Sequence, residues 1–334
     1  MKRFAYILIH ILLFSCSDNV CVTSNRKVIV GDFDNTYELV GEKVDIIQSI
    51  GFYGCEIKYP YLILSLYNQN HFLSVYNIKN GRYLGDYFKK GDAPHEYLDF
   101  NILNQELDSI IWIDDPQRKK LNSYTLSFKN DSLEFKKKNI INYDKVYGDV
   151  YTLFINSDSS VWTKIYDIDN KSLYYTNSTT KNIINPFCHE FEIDDLNRIM
   201  TLADGINEHG TKIASLTGVL DQVEIIDLLN SKNHISAVIS ENTLTWNDFR
   251  KKNIDEIKEY FLSQPRCNEK YIIALHNNND YEKELLLIDW EGNGIAKLKL
   301  KEDLIDFDID WEQNIIYGIT EDEEVYKYNI DIKL

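Results

Sequence analysis

The residues of this chain that could do chemistry are few and far apart. Asp306, Asp308 and Asp310 alternate with Ile305, Phe307, Ile309 and Trp311, so on a β-strand the three carboxylates share one face and the apolar side chains the other. They are weak candidates for a calcium site, because calcium takes six or more oxygens. A solvated strand face with turn caps accounts for the same letters and is the preferred reading. Asp167-Ile168-Asp169-Asn170 opens like a calcium loop, but Ser172 stands where glycine belongs and Ser178 where the bidentate glutamate belongs. Beyond residue 16 the histidines are His71, His95, His189, His209, His234 and His276, with no HExxH and no close pair, so a metal site would need assembly from distant loops. His95 beside Glu96 is the most interesting pair, read as a turn stabiliser because no nucleophile accompanies it. No GxSxG elbow, P-loop or GxGxxG signature follows a strand. These absences point away from an enzyme, and the expected cofactor content is none, with calcium the single alternative.

Cys16 carries the other candidate chemistry. Residues 1–16, MKRFAYILIHILLFSC, combine basic Lys2 and Arg3 with an apolar run from Phe4 to Phe14, shorter than the roughly 20 apolar residues of a spanning helix. Leu13-Phe14-Ser15-Cys16 resembles a bacterial lipobox, in which the cysteine is acylated and becomes the first residue. The expected organisation is a signal peptide over 1–15, a flexible polar tether over 16–26 and one domain over 27–334.

The net charge is −17, and losing Lys2 and Arg3 makes it two units more negative. Such a surface repels phosphate backbones, so nucleic acid is excluded as a partner, and membrane attachment must come from acyl chains on Cys16 alone. Cys21, Cys55, Cys188 and Cys267 are spaced unlike zinc knuckles. Cys55, Cys188 and Cys267 are expected to be buried free thiols. With 23 Tyr but 14 Gly and 5 Pro, disordered and collagen-like classes are excluded and sheet is favoured.

The elements that would hold these residues are short strands. Tyr61–Tyr67, His71–Ile78 and Arg82–Phe88 read as a meander, with Asn80-Gly81 suited to a type I′ hairpin turn. Comparable runs return through Ser109–Asp114, Val161–Tyr166, Val223–Leu228, Leu285–Trp290 and Val325–Ile330. Trp246–Leu262 breaks the pattern, because its apolar residues fall near a 3.6 period and predict a short helical insertion over 246–262. An all-β chain with blade-like returns at roughly 45-residue intervals predicts a β-propeller of six blades, with seven blades or a large β-sandwich as alternatives. Val44–Ile50 would complete the blade carrying Ile315–Ile330, closing the ring.

After the first hairpin, Gly91, Pro94, His95, Glu96 and Tyr97 form a loop resembling the G-x-G-P-x-E-[FY] signature of TolB-like six-bladed β-propeller lipoproteins, with Ala93 in place of the second glycine. That largely uncharacterised family implies a fold and an export route rather than a catalytic residue. The expectation is an outer-membrane lipoprotein, periplasmic or surface-facing, monomeric, serving as a binding scaffold for a protein, peptide or glycan. The alternative is a propeller-type hydrolase or lyase with a divalent metal at the central channel. The aromatics Tyr53, Tyr59, Tyr61, Trp112, Trp162, Trp246, Trp290 and Trp311 are expected mostly in the core. Replacing the acylated thiol, Cys16→Ala, should move the protein from the membrane to the soluble fraction without changing its melting temperature; full membrane retention of the variant contradicts the acylation.

Overall fold

A computed structural model describes residues 26–30, 33–67, 69–103, 105, 110–129, 132–143, 149–156, 159–186, 202–230, 233–240, 251–252, 258, 260–278, 280 and 282–330. Three strands come first: β1 (Arg26–Ile29), β2 (Asn35–Leu39) and β3 (Glu42–Lys43). Six sheets then follow one another along the chain. Blade 1 is β4 (Phe52–Lys58), β5 (Tyr61–Leu66), β6 (His71–Asn77) and β7 (Arg82–Lys89); blade 2 is β8 (Asn101–Ile102), β9 (Ile110–Asp115), β10 (Lys120–Lys129) and β11 (Ser132–Asn142). Blade 3 is β12 (Asp149–Ile155), β13 (Val161–Asp167), β14 (Ser172–Asn177) and β15 (Ile183–Ile184), and blade 4 is β16 (Leu202–Ile206), β17 (Lys212–Thr217), β18 (Gln222–Asp227) and β19 (His234–Val238). Blade 5 is β20 (Arg266–Cys267), β21 (Tyr271–Asn277), β22 (Lys283–Asp289) and β23 (Gly294–Leu300), and blade 6 is β24 (Leu304–Asp310), β25 (Ile315–Thr320) and β26 (Val325–Asn329) completed by β3.

The blades close into a ring because each sheet buries both faces. In β22, Leu286 and Ile288 pack toward blade 4 while Leu285 and Leu287 pack toward blade 6. Likewise in β5, Leu62 and Leu64 face blade 6 and Ile63 faces blade 2. A strand covered on both sides reads as a continuous apolar run rather than an alternation, which is why YLILSL and LLLID stand out. Six apolar clusters result, one at each blade-to-blade interface, so no sheet face is left over.

Asx caps shape many of the hairpins. Asp167 Oδ1 accepts from the amides of Asp169 (3.0 Å) and Asn170 (3.1 Å), and Asp289 Oδ1 accepts from Glu291 and Asn293. The hairpin expected at Asn80-Gly81 forms, but its loop spans residues 78–81 rather than two residues, because Asn77 Oδ1 accepts from the Lys79 and Asn80 amides and closes a wider turn. Gly81 takes the left-handed position, at φ +68°.

The N-terminal segment runs around the outer rim. β1 pairs in parallel with β19 of blade 4, β2 in parallel with β23 of blade 5, and β3 antiparallel with β26 of blade 6. Three successive blades thus have their outer edges covered by one strap, which removes pairing edges that would otherwise be open. The ring closes at the blade expected, but through Glu42–Lys43 and the Val44 N–H to Val325 O bond (2.8 Å) rather than through Val44–Ile50. Val44, Ile46 and Ile47 instead pack into the interface between blades 6 and 1.

No helix occurs among the described residues, so the expected insertion over 246–262 is not supported. Residues 241–250, 253–257 and 259 lie outside the described residues, and at its end Phe261 forms a β-bridge with His276. The blade count is six, not seven. Cys55 and Cys267 are buried free thiols, while Cys188 lies outside the described residues. No helix among the described residues is long and apolar enough to cross a membrane. A chain shortened to begin at Asp45, without β1–β3, should melt about 10 °C below one beginning at Arg26, a loss of a few kcal/mol for a domain of this size; equal melting temperatures would show that the strap does not hold the ring.

Candidate functional site

The innermost strand of each blade has one edge turned to the propeller axis, and there they surround a cavity of about 540 Å³. That volume falls within the roughly 300–1,000 Å³ of small-molecule sites. Every blade contributes: Tyr53–Glu56 from β4, Asn101–Leu103 at β8, Val150–Phe154 from β12, Asp204 from β16, Leu262–Gln264 ahead of β20, and Ile305 and Asp306 from β24. These are mostly the first halves of the inner strands, so the cavity opens at the end of the ring where those strands begin. Beyond Glu56, a separate small cavity of about 10 Å³, close to the space of a single water, is lined by Arg266, Asp308 and Trp311 among others.

Its floor is an ion cluster at the seam between the last blade and the first. Asp306 Oδ2 accepts from the Cys55 amide (3.1 Å) and Asp308 Oδ2 from the Ile57 amide (2.6 Å), both on β4. The other oxygens of the two carboxylates face Arg266 of blade 5, with Nε at 2.9 Å from Asp308 and Nη2 at 3.3 Å from Asp306. Arg266 Nη1 donates to Gln264 O at 2.8 Å. Burial works against the guanidinium charge, but Asp306 and Asp308 outweigh it and hold its pKa above the ordinary value. Burial raises Asp306 even though Arg266 opposes it, and burial next to Asp308 pushes Glu56 well up.

The wall carries two further acids. Asp204 binds Lys164 of blade 3 at 2.9 and 3.1 Å, with Ser215 Oγ 3.3 Å from the same ammonium, in a fully buried pair. Asp114 accepts the Tyr143 hydroxyl at 2.6 Å, and burial pushes its pKa up to about 6. No Lys, Arg or His is among the described residues lining the cavity, and Tyr53, half exposed, stands at its edge. The lining is thus acidic, with its two cations behind the wall. Among the described residues no group of three or more His, Cys, Asp or Glu is placed to hold a metal ion.

The three aspartates of β24 are not a solvated face. Asp308 and Asp310 are buried, Asp306 and Asp308 are committed to Arg266 and the β4 amides, and Asp310 caps a turn through the Gln313 amide (3.0 Å) and side chain (2.8 Å). That leaves too few open oxygens for a calcium cage.

The loop of Gly91, Pro94, His95, Glu96 and Tyr97 joins blade 1 to blade 2. Glu96 accepts from the Ala93 amide (3.2 Å) and pairs with Lys89 (2.7 Å), and Arg118 donates to the Glu96 carbonyl (2.6 Å) while binding Asp115 (3.0 Å). Gly91 has φ +151°, and a Cβ there would overlap the Glu96 carboxylate. Tyr97 is buried in an aromatic cluster with Phe88, Phe100 and Tyr124, hydroxyl to hydroxyl with Tyr124. Pro94 and His95 are exposed, and Glu96 turns to Lys89 rather than to His95. Cys16 lies outside the described residues.

Two other histidines are buried against carboxylates: His234 on Glu224 (2.6 Å), and His276 between Asp221 of blade 4 (2.8 Å) and Glu284 of blade 5 (3.1 Å). Trp112, Trp162 and Trp290 are core residues as expected, while Tyr53 and Tyr59 are exposed and Trp246 lies outside the described residues. Glu56, Asp114, Asp204, Lys164 and Arg266 escaped sequence reasoning. The one available signal was a charged residue set inside an apolar run, as in VWTKIY and IIWIDD.

The sequence matches no protein-family model and no curated protein. Among solved structures, the chain is similar to a Bacteroides fragilis protein assigned as exported, at 13% identity over 92% of this chain and 99% of that one, with a TM-score of 0.50. It is also similar to luciferin-regenerating enzyme, at 12% identity over 88% and 96% of the two chains, with a TM-score of 0.48. At such identities the first likeness speaks to the fold alone, and the fold is a six-bladed β-propeller.

Asp114 gives the wall a pH dependence. Its folded pKa of about 6 lies above the unfolded carboxylate value near 4, so its contribution to stability is full below pH ~4 and lost as pH rises through about 6. Asp114→Asn keeps an acceptor for Tyr143 but cannot ionise. Urea unfolding should show the variant gaining up to about 2 kcal/mol on wild type between pH 4 and 7, after allowance for solvent at the cavity side; parallel pH profiles would contradict this assignment.

Proposed function

We propose that this chain is an exported, lipid-anchored propeller that acts as a binding scaffold at the cell envelope, with the axial cavity as its ligand site. The observation that carries this reading is the convergence of residues from all six blades on one acid-lined cavity. Asp114 and Asp306 reach it, no described lining residue is a cation, and Asp306 and Asp308 share the single charge of Arg266, so electrostatic complementarity favours a positively charged group. A lysine or arginine side chain on a peptide or protein loop fits that chemistry and the cavity's size. Export and anchoring rest on the leader over 1–15 and on Cys16, and the likeness to a protein assigned as exported agrees with them. The Gly91–Tyr97 loop supports membership among the TolB-like lipoprotein propellers.

Gly54 supplies the test. A Cβ added there meets no atom closer than 3.4 Å, so Gly54→Leu should fold and fill the cavity it lines. Calorimetric titration should show trilysine binding to the wild-type protein and not to Gly54→Leu, with trialanine binding neither. Absence of trilysine binding to wild type, or equal binding to the variant, would overturn the assignment.

A further inference from the structure

A second cavity, of about 380 Å³, lies away from the axis between the segment 48–50 and strands β6 and β7 of blade 1. Its inner wall is a closed hydroxyl network. Ser49 Oγ lies 2.7 Å from Ser74 Oγ and 2.6 Å from the Tyr76 hydroxyl, the Gln48 and Ser49 amides donate to that same hydroxyl at 3.1 and 2.9 Å, and Ser74 donates to Asp86. Those groups are satisfied among themselves and fix the segment against the blade. The rest of the lining is different. Gln48, Gln69, Asn70 and His71 line the same cavity; the first three are exposed and His71 partly buried, and no side-chain hydrogen bond within the described residues engages them.

We infer that this cavity is a binding site for a neutral carbohydrate, seated on Tyr83 and hydrogen-bonded by Gln48, Gln69, Asn70 and His71. The chemistry follows from what those groups can recognise. Amide and imidazole side chains offer planar donors and acceptors side by side, and a sugar hydroxyl is both donor and acceptor, so adjacent hydroxyls satisfy them in pairs. Because these exposed groups are hydrated in the free protein, the site favours a ligand whose hydroxyls replace that water at all of them at once. Tyr83, 44% exposed and tilted 47° against Tyr76 at 5.2 Å, offers an aromatic face for the apolar face of a pyranose. Among the described lining residues there is no Lys or Arg and one carboxylate, Asp86, so phosphate and other anions find no described counter-charge there, and the described lining carries fewer acids than the axial cavity. It is separate from the peptide site proposed above and does not depend on it.

Saturation-transfer NMR on the full chain tests this with the methyl glycosides of glucose, galactose and mannose and with N-acetylglucosamine as probes at millimolar concentration. Transfer to at least one is expected, with affinity falling about tenfold in Tyr83→Ala, the scale of one lost stacking contact. Gln48→Ala should weaken it as well without shifting the melting temperature, and Gly54→Leu in the axial cavity should leave binding unchanged. No transfer to any of the four probes overturns the inference. So does transfer untouched by both Tyr83→Ala and Gln48→Ala, and so does loss of transfer in Gly54→Leu, which would move the sugar to the axis.

Discussion

A ring of sheets has one seam where the last blade meets the first, and here two carboxylates bonded to the neighbouring backbone close it. Asp306 and Asp308 accept from the Cys55 and Ile57 amides of β4, and Arg266 from blade 5 balances their charge. Inner-strand amides that turn away from β5 point at the axis and find no strand there, so without these acceptors they would be left to water or unpaired. Burying a carboxylate beside another is costly unless a cation accompanies it, and removing one partner from such a buried set typically costs ~3–5 kcal/mol. The arginine therefore belongs to the seam as much as to its own blade, and three blades are tied together at one point.

The same cluster makes the site. Asp306 lines the axial cavity itself, while Glu56, Arg266 and Asp308 line the small cavity next to it. Arg266 binds Asp306 and Asp308 from behind, so Asp306 is the carboxylate of the cluster that reaches the cavity, while Asp204 and Lys164 are buried against each other in its wall. The outer strap complements this arrangement. β1, β2 and β3 tie blades 4, 5 and 6 at the rim, while the ion cluster ties blades 5, 6 and 1 at the centre, so closure is secured at two radii.

The all-β class, the propeller and the hairpin of blade 1 were legible because strands buried on both faces leave long apolar runs in the sequence, as in YLILSL and LLLID. The closing blade was legible too, though not the strand that completes it. Val44–Ile50 is the more apolar stretch, but a rim strand needs only backbone pairing, and the polar Glu42–Lys43 supplies it while Ile46 and Ile47 go to the interface. Asp306, Asp308 and Asp310 were recognised as sharing a face, yet their burial was not, because the amides and the arginine that justify it lie some 250 and 40 positions away along the chain. The axial acids were hidden for the same reason: Asp114 and Asp204 are single letters in separate blades, and only closure of the ring brings them together.

Native-state hydrogen exchange at the Cys55 and Ile57 amides examines the seam most directly, because both face the axis and owe their protection to Asp306 and Asp308 rather than to strand pairing. If the carboxylates hold the ring shut, these two amides exchange only through global unfolding, as slowly as the Ile63 amide in the middle of blade 1. Exchange orders of magnitude faster than at Ile63, under conditions where the blade itself stays protected, would mean that the seam stands open and that the ring is held by its strap and apolar interfaces alone.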